Sequence, residues 1–291
     1  MAMHENEIPS DEALVRALLQ AQFPKWAELP IAPPLKTGTD NAIFRLGPEL
    51  AVRLPRRPAS GGIDKAQRWL PQIAPHLPLE VPVALARGEP GAGFPCAWEV
   101  VPWVEGRAVV WERLADPVES ARAVAEFLRV LQSVDPRGGP LATCRGGALA
   151  WQDERVRACV TELGDRVDRE AVLASWDASL AAAPHQGPPQ WTHADLSPGN
   201  LIERGGEVVG AIDFAMLAVG DPACDLLIAW NLFRGESRSA LREALGTDDE
   251  TWARGRGWAL YGAVIAMPYY WETNPLLVAQ SQRVLRELLA D

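Results

Sequence analysis

The pattern of hydrophobic and polar positions changes character near residue 101. Before that point, short apolar runs rich in β-branched and aromatic residues predict strands at 41–46, 50–54 and 95–101. After it, apolar residues recur at helical spacing, which predicts helices at 118–131, 151–163 and 168–183. We therefore predict an α+β fold with a β-rich N-terminal lobe at 1–101, a connector at about 100–106 and a helical C-terminal lobe at 102–291.

Local boundary signals refine this outline. Ser10, which two acidic residues follow, is predicted to cap the first helix, and Asp116-Pro117 to begin the helix after the connector. Gly47-Pro48-Glu49 and Gly205-Gly206 each predict the turn of a hairpin. A further helix is predicted at Asp64–Leu70.

Charge and composition restrict the classes of partner. The 291 residues carry a net charge of −10, which repels nucleic-acid phosphates and attracts cations, so we expect a cationic small molecule rather than nucleic acid. No run approaches the ~18 uncharged apolar residues of a membrane span, and the polar N-terminus does not resemble a signal peptide. We expect a cytoplasmic protein without membrane contact, a monomer or a homodimer, whose four cysteines are reduced.

One polar stretch, His193–Asn200, carries residues suited to chemistry. Asp195 and Asn200 lie five positions apart on a loop rich in Ser, Pro and Gly, so their side chains can converge. A strand, a Gly-Gly turn and a return strand then bring Asp213 next to Asn200. Carboxylate and carboxamide oxygens suit Mg²⁺ that is shared with phosphates, and Asp195 remains free to orient a hydroxyl and accept its proton. These parts together predict phosphoryl transfer.

The same residues also resemble a known family. His193–Asn200 (HADLSPGN) followed by Ile212-Asp213-Phe214 resembles the HxDxxxxN catalytic loop and the DFG-like aspartate of eukaryotic-type kinases. With Gly220–Leu226 (GDPACDL) downstream, the sequence is similar to the aminoglycoside phosphotransferase family, whose nucleotide-covering hairpin and hinge resemble 38–55 and 98–106. The resemblance implies a bilobal protein-kinase-like fold and a small-molecule O-kinase that uses ATP or GTP with Mg²⁺.

The resemblance implies roles for the residues around the catalytic loop. Asp195 corresponds to the catalytic base, and His193 to the histidine that anchors the loop. Asn200 and Asp213 correspond to the Mg²⁺ ligands, and Asp225 to a brace of the loop.

Nucleotide-binding roles are implied for the N-terminal lobe. Arg53 occupies the position of the strand lysine that holds the α- and β-phosphates. The hinge whose backbone meets the purine would include Val100, Val101 and Trp103. Because there is no GxGxxG run, phosphate cover would rest on a turn at Thr39 and Asn41.

Two residues depart from the family pattern. Arg53 replaces lysine and can hold phosphate as a rigid bidentate fork rather than as a point charge. The helix position that normally supplies a glutamate to this cation is Ala66, and the nearby Asp64 is expected to point elsewhere. An ion pair at ~4 Å is worth roughly 4 kcal/mol of gross attraction at a dielectric near 20, so its loss would affect efficiency more than fold.

Several acceptors and functions stay open. The resemblance implies an antibiotic, and the acidic chain favours a cationic one such as an aminoglycoside. A macrolide remains an alternative, because macrolide kinases carry a run similar to Arg53–Arg57. The competing hypotheses are a metabolite kinase acting on a sugar or amino alcohol, and a degraded kinase-like protein that binds without turnover, which Arg53 and Ala66 suggest. A metal phosphoesterase is disfavoured, because the ligands for two metals are missing.

Overall fold

A computed structural model of the protein describes residues 7–33, 40–58 and 62–290. The chain divides into two compact units. The first contains the described residues up to Pro75 together with 80–106 and 210–215, and the second contains 76–79, 107–209 and the residues from 216 onwards. Asp213 therefore belongs to the first unit, although most of the second unit precedes it in sequence.

The described chain contains both helices and strands, with most of the helices in its C-terminal part. The α-helices are α1 (Glu12–Gln22), α2 (Ile63–Ile73), α3 (Pro117–Ser133), α4 (Asp153–Leu163), α5 (Arg169–Leu180), α6 (Ile228–Asn231), α7 (Gly235–Leu245), α8 (Asp249–Tyr270) and α9 (Pro275–Ala290). The strands are β1 (Asn41–Leu46), β2 (Leu50–Pro55), β3 (Ala86–Gly88), β4 (Trp98–Pro102), β5 (Arg107–Ala108), β6 (Gln190–Thr192), β7 (Leu201–Arg204), β8 (Glu207–Ala211) and β9 (Ala218–Gly220). Short 3₁₀ helices include Pro198–Asn200, Phe214–Met216 and Pro222–Leu227.

The first unit is built on a four-stranded antiparallel sheet with the strand order β1-β2-β4-β3. β1 and β2 form the predicted hairpin, with Leu46 opposite Leu50. Buried residues of α1, including Leu18, share a hydrophobic core with Phe44 and Trp98 of the sheet. The side chains of this core fix the strands that carry Arg53 on β2 and its neighbours on β4.

The start of α1 differs by one residue from the prediction. Asp11, rather than Ser10, is the N-cap, and its Oδ1 accepts a hydrogen bond from the Leu14 N–H at 2.8 Å. Aspartate and serine both favour this position, so the sequence pattern does not separate the two registers. The second helix was predicted correctly in place, but α2 continues beyond Leu70 to Ile73 with Pro71 inside it.

A close approach between β3 and β4 requires glycine at position 88. A Cβ added to Gly88 would lie 2.0 Å from the ring of Trp98. The Trp98 ring is fully buried, and its Nε1 donates to the Glu89 carbonyl at 3.1 Å. The indole therefore fills the space that a side chain at position 88 would need.

The second unit is mainly helical. The long helix α8 packs against α9, α4 and α5, and α3 packs against α7. Two short sheets, ordered β5-β7-β8 and β6-β9, accompany these helices. In the second sheet Thr192 lies opposite Ala218, so the loop that begins at His193 leaves from the end of β6 where β9 starts. No helix in the described ranges is both long and apolar enough to cross a membrane.

Candidate active site

A buried carboxylate fixes the backbone of the predicted catalytic loop. The N–H groups of His193 and Ala194 donate to Asp225 Oδ2 and Oδ1 at 2.9 and 2.7 Å. Asp225 is fully buried, and this burial raises its pKa in spite of the hydrogen bonds it accepts. Ala194 has φ 64°, a left-handed conformation that residues other than glycine adopt at a cost, so the surrounding contacts hold the loop in place.

Asp195 is held by neighbours within the loop while its carboxylate stays accessible. Its backbone N–H donates to Nδ1 of the buried His193 at 3.3 Å. Nδ2 of Asn200 donates to the Asp195 carbonyl at 2.8 Å and to Oδ2 at 3.3 Å. The side chain of Asp195 is 37% exposed, so a hydroxyl from solution can reach it.

A residue outside the motif also contacts this carboxylate. Arg145 donates through one guanidinium nitrogen to Oδ1 of Asp195 and to the Ala194 carbonyl, the latter at 3.2 Å. Burial alone would lower the pKa of Arg145, but the Asp195 carboxylate outweighs this effect and the pKa is raised. Asp195 is therefore an ion-paired carboxylate in the free protein.

In the first unit, a second ionic cluster forms around Arg53. The guanidinium donates to Glu99 Oε1 on β4 at 2.7 Å and to Asp213 Oδ1 at 3.1 Å. Only 11% of the Arg53 side chain and 2% of the Glu99 side chain are exposed. Arg53 and Glu99 are direct cross-strand partners in the β2–β4 ladder, so the sheet itself sets their approach.

The helix that should supply a glutamate supplies a neutral residue instead. Ala66 faces Arg53 across a small cavity of about 10 Å³, which is room for about one water molecule. Gln67, the next residue on α2, donates through Nε2 to Glu99 Oε2 at 3.1 Å. Asp64 points elsewhere, as expected, and pairs with Arg87. The missing carboxylate of the helix is thus replaced by Glu99 on the strand.

Asp213 and Asn200 are the residues that the sequence predicts to bind Mg²⁺. Asp213 has φ 64°, so its backbone adopts an uncommon conformation at a position that carries a predicted ligand. Its Oδ1 accepts from Arg53, which leaves Oδ2 for a cation, and Asn200 likewise retains its amide oxygen. These are hard oxygen donors of the kind Mg²⁺ prefers. No group of three or more His, Cys, Asp or Glu suited to a metal occurs in the described ranges.

The predicted phosphate cover is only partly within the described residues. Thr39 lies outside them, whereas Asn41 opens β1 and is 3% exposed. Neither Nδ2 nor Oδ1 of Asn41 has a hydrogen-bond partner among the described residues. A buried amide without partners costs free energy, and a polar ligand that reaches it would recover this cost.

The predicted hinge lies in and just after β4. Val100 and Val101 are buried, and the Val100 carbonyl already accepts from the Leu85 N–H at 2.8 Å. The Trp103 N–H donates to the Glu49 carbonyl at 2.7 Å, so this donor is engaged within the unit. Backbone contacts to a purine would therefore have to use other groups of the segment.

Comparison with known proteins identifies the family. A model of the phosphotransferase enzyme family matches residues 31–258. The chain belongs to the phosphotransferase enzyme family. The resemblance inferred from the catalytic-loop motifs is thereby confirmed. An aminoglycoside 3'-phosphotransferase of Escherichia coli is 29% identical over 155 residues, which cover 51% of this chain and 57% of that protein. The match thus spans little more than half the length of this curated relative.

Solved structures support the same fold for this family member. The GDP complex of wild-type aminoglycoside 2'-phosphotransferase-IIIa superposes with a TM-score of 0.74 and 16% identity, covering 97% of this chain and 99% of the other. The apoenzyme of macrolide 2'-phosphotransferase MphH from Brachybacterium faecium gives 0.60 and 20%, covering 96% and 98%. The predicted α+β, protein-kinase-like fold is confirmed.

Sequence reasoning missed two charged residues of this family member. Glu99 offered a signal, because it is a carboxylate inside an otherwise apolar strand, and a buried charge requires a partner. Arg145 precedes a Gly-Gly pair in an irregular segment, and nothing in that pattern points 50 residues ahead to Asp195.

Proposed function

We propose that the protein is a Mg²⁺-dependent phosphotransferase that moves the γ-phosphoryl group of ATP or GTP to a hydroxyl of a small molecule. The observation that carries this proposal is the geometry of Asp195. Its backbone is fixed by Asp225 through the residues before it, its carboxylate is oriented by Asn200, and its side chain remains accessible. A fixed, accessible carboxylate is what phosphoryl transfer requires to aim an acceptor hydroxyl.

Asn200 and Asp213 are the residues proposed to bind the metal ion, and Arg53 the residue proposed to bind phosphate. When bound, Mg²⁺ would neutralise charge that accumulates on the phosphate oxygens. Arg53 is oriented by Glu99 and offers further N–H donors to phosphate. Asn41 is proposed to lie at the phosphate cover, and its unpaired amide supports this role. At the hinge, we propose that backbone groups other than the Val100 carbonyl and the Trp103 N–H, which are already engaged, bind the purine.

We propose an aminoglycoside as the acceptor. Proteins with this fold have been solved with kanamycin and GDP, with gentamicin, and with streptomycin and ATP. The net charge of −10 on this chain favours a polycationic acceptor through long-range attraction. A macrolide is the second candidate, because macrolide 2'-phosphotransferases are also among the structural neighbours.

The hypothesis of a degraded kinase loses its main support. It rested on Arg53 without a glutamate on the helix, and Glu99 supplies that carboxylate from a strand. A metabolite kinase would use the same residues and is separated from the antibiotic kinase only by its acceptor.

An acceptor screen tests the proposal. The purified protein is incubated with Mg·ATP or Mg·GTP and with kanamycin, gentamicin, streptomycin, a macrolide, a sugar or an amino alcohol, and release of nucleoside diphosphate is measured. We expect release that depends on an aminoglycoside and on Mg²⁺, and that is lost in Asp195→Ala. Release with the sugar or amino alcohol alone would favour the metabolite kinase, and no release with any acceptor would refute the proposal.

A further inference from the structure

The contact between Arg145 and Asp195 places a partly buried cation on the carboxylate that is proposed to aim the acceptor. Arg145 donates to Oδ1 of Asp195, while Asn200 approaches the other oxygen, Oδ2, at 3.3 Å. The two donors therefore hydrogen-bond to different oxygens of the same carboxylate. The terminal torsion of an aspartate is broad when it is free, so two such contacts restrict the rotation of the group.

The segment that carries Arg145 is itself fixed on both sides. The Gly146 carbonyl accepts from the Asp221 N–H at 2.7 Å, and the Ala142 N–H donates to the Val219 carbonyl at 2.9 Å. Gly146 has φ 83°, a conformation that favours glycine. The guanidinium is thus presented by a backbone that does not depend on Asp195 for its shape.

A side chain from α8 supports the same segment. Tyr261 is almost fully buried, and its hydroxyl lies 3.6 Å from Sγ of Cys144, the residue before Arg145. Burial, together with this contact, raises the pKa of Tyr261 to about 12, so the phenol stays neutral at physiological pH. Tyr261 thus contacts this segment as a neutral phenol, and the charge that the segment presents to the catalytic loop is that of Arg145.

We propose that Arg145 is a positioning residue for phosphoryl transfer, which holds the Asp195 carboxylate in the orientation that receives the acceptor hydroxyl and offsets its negative charge. This inference rests on the proposed function. The Asp195 carboxylate accepts from Arg145 and Asn200, but it is partly exposed and keeps further lone pairs for the acceptor hydroxyl. The positive charge also reduces the repulsion between Asp195 and the anionic phosphate that must approach it.

In this role, orientation of the acceptor hydroxyl matters more than abstraction of its proton. A loose transition state for phosphoryl transfer demands little proton transfer before the bond to phosphorus forms. Arg145 therefore suits a carboxylate whose main task is to aim the hydroxyl. Its removal should lower kcat while leaving the binding of the nucleotide almost unchanged.

The variants Arg145→Met and Arg145→Lys test this role. Met keeps much of the aliphatic volume but no charge, and Lys keeps the charge without the planar fork. We expect kcat to fall about 10- to 100-fold in Arg145→Met, with a partial recovery in Arg145→Lys, because small misplacements of a catalytic group have effects of this size. Arg137→Met is the matched control, since it removes an Arg–Asp pair whose arginine side chain is 90% exposed.

Chemical rescue and stability complete the test. Guanidinium ion, added to Arg145→Ala far below denaturing concentrations, should raise kcat in this variant and not in the parent. In a double-mutant cycle measured by urea unfolding, Arg145→Met should destabilise the parent more than it destabilises Asp195→Asn. A purely structural role for Arg145 would change stability without rescue by guanidinium.

The possible failures are distinguishable. If the parent protein turns over and Arg145→Met retains its kcat to within a factor of about two, the positioning role is wrong. If the parent shows no turnover with any acceptor, the proposed function fails, and the cycle still decides whether the Arg145–Asp195 contact exists. An absence of coupling in that cycle would overturn the inference in either case.

Discussion

The replacement of Glu99 by glutamine tests whether a strand residue has taken over the task of the missing helix glutamate. Glutamine keeps the size of the side chain but removes the charge that faces Arg53 at 2.7 Å. Both side chains are nearly buried, so water screens the pair only weakly. The variant therefore removes one ion pair with little change in packing.

The magnitude follows from this burial. Two unit charges at ~4 Å attract by roughly 4 kcal/mol at a dielectric of 20, before the cost of desolvation. Removing one partner of a buried pair costs about 3–5 kcal/mol, because the other charge remains uncompensated. Arg53 keeps its contact with Asp213 at 3.1 Å, so we expect a smaller loss in the free energy of unfolding, about 2–3 kcal/mol.

Nucleotide use should suffer as well. Without Glu99, Arg53 is held by Asp213 alone, and this contact engages a carboxylate that is proposed to bind Mg²⁺. We expect kcat/KM for the Mg·nucleotide to fall about 10- to 100-fold, which is roughly 1.4–2.7 kcal/mol in activation free energy.

Urea unfolding and steady-state kinetics measure the two effects. The matched control is Glu12→Gln in the same unit, which removes a pair with Arg16 on α1 whose glutamate side chain is 58% exposed. Surface pairs of this kind contribute about 0.5 kcal/mol, and no effect on turnover is expected. If Glu99→Gln behaves like Glu12→Gln in both assays, Glu99 does not hold Arg53 and the reasoning is refuted.

Three further predictions concern the framework of the site. Gly88→Ala should destabilise the protein by about 1–3 kcal/mol in thermal or urea unfolding, because its Cβ would meet the Trp98 ring; an unchanged midpoint would contradict this. Arg254→Met should cost about 3 kcal/mol in urea unfolding, because it removes the guanidinium that pairs with the buried Asp221 carboxylate; a loss below ~1 kcal/mol would argue against a compensated buried pair. Burial raises the pKa of Asp225, so the stabilisation from its protonated form is lost as pH rises above about 4. As pH rises above about 4, the free energy of unfolding of Asp225→Asn should therefore increase relative to that of the parent. The opposite trend in a pH series of unfolding curves would contradict this prediction.

Local sequence signals were sufficient to predict the elements that begin or end at clear turn or capping residues. The β1–β2 hairpin and the helix after Asp116 lie where the turn and capping residues placed them. The contact within the catalytic loop could also be predicted from the sequence, because Asp195 and Asn200 are only five residues apart. Short sequence separation made these features predictable.

The charged partners of the key residues were not predictable in the same way. Arg53 meets Glu99 through strand pairing across 46 positions, and Arg145 reaches Asp195 across 50. Such contacts depend on how the elements pack, and no periodicity within either segment encodes them. The departure at Ala66 was recognised from the sequence, but its compensation on a different element required the structure.

The account depends most on the role of the Asp195 carboxylate, and phosphorus NMR of one reaction tests it directly. The protein is mixed with Mg·ATP, or with Mg·GTP, and kanamycin, and the parent is compared with Asp195→Asn. We predict a new phosphomonoester resonance that grows in step with the nucleoside diphosphate, at a rate that falls at least about 100-fold in the variant. An equal rate in Asp195→Asn, or diphosphate formed without a phosphorylated acceptor, would contradict the account.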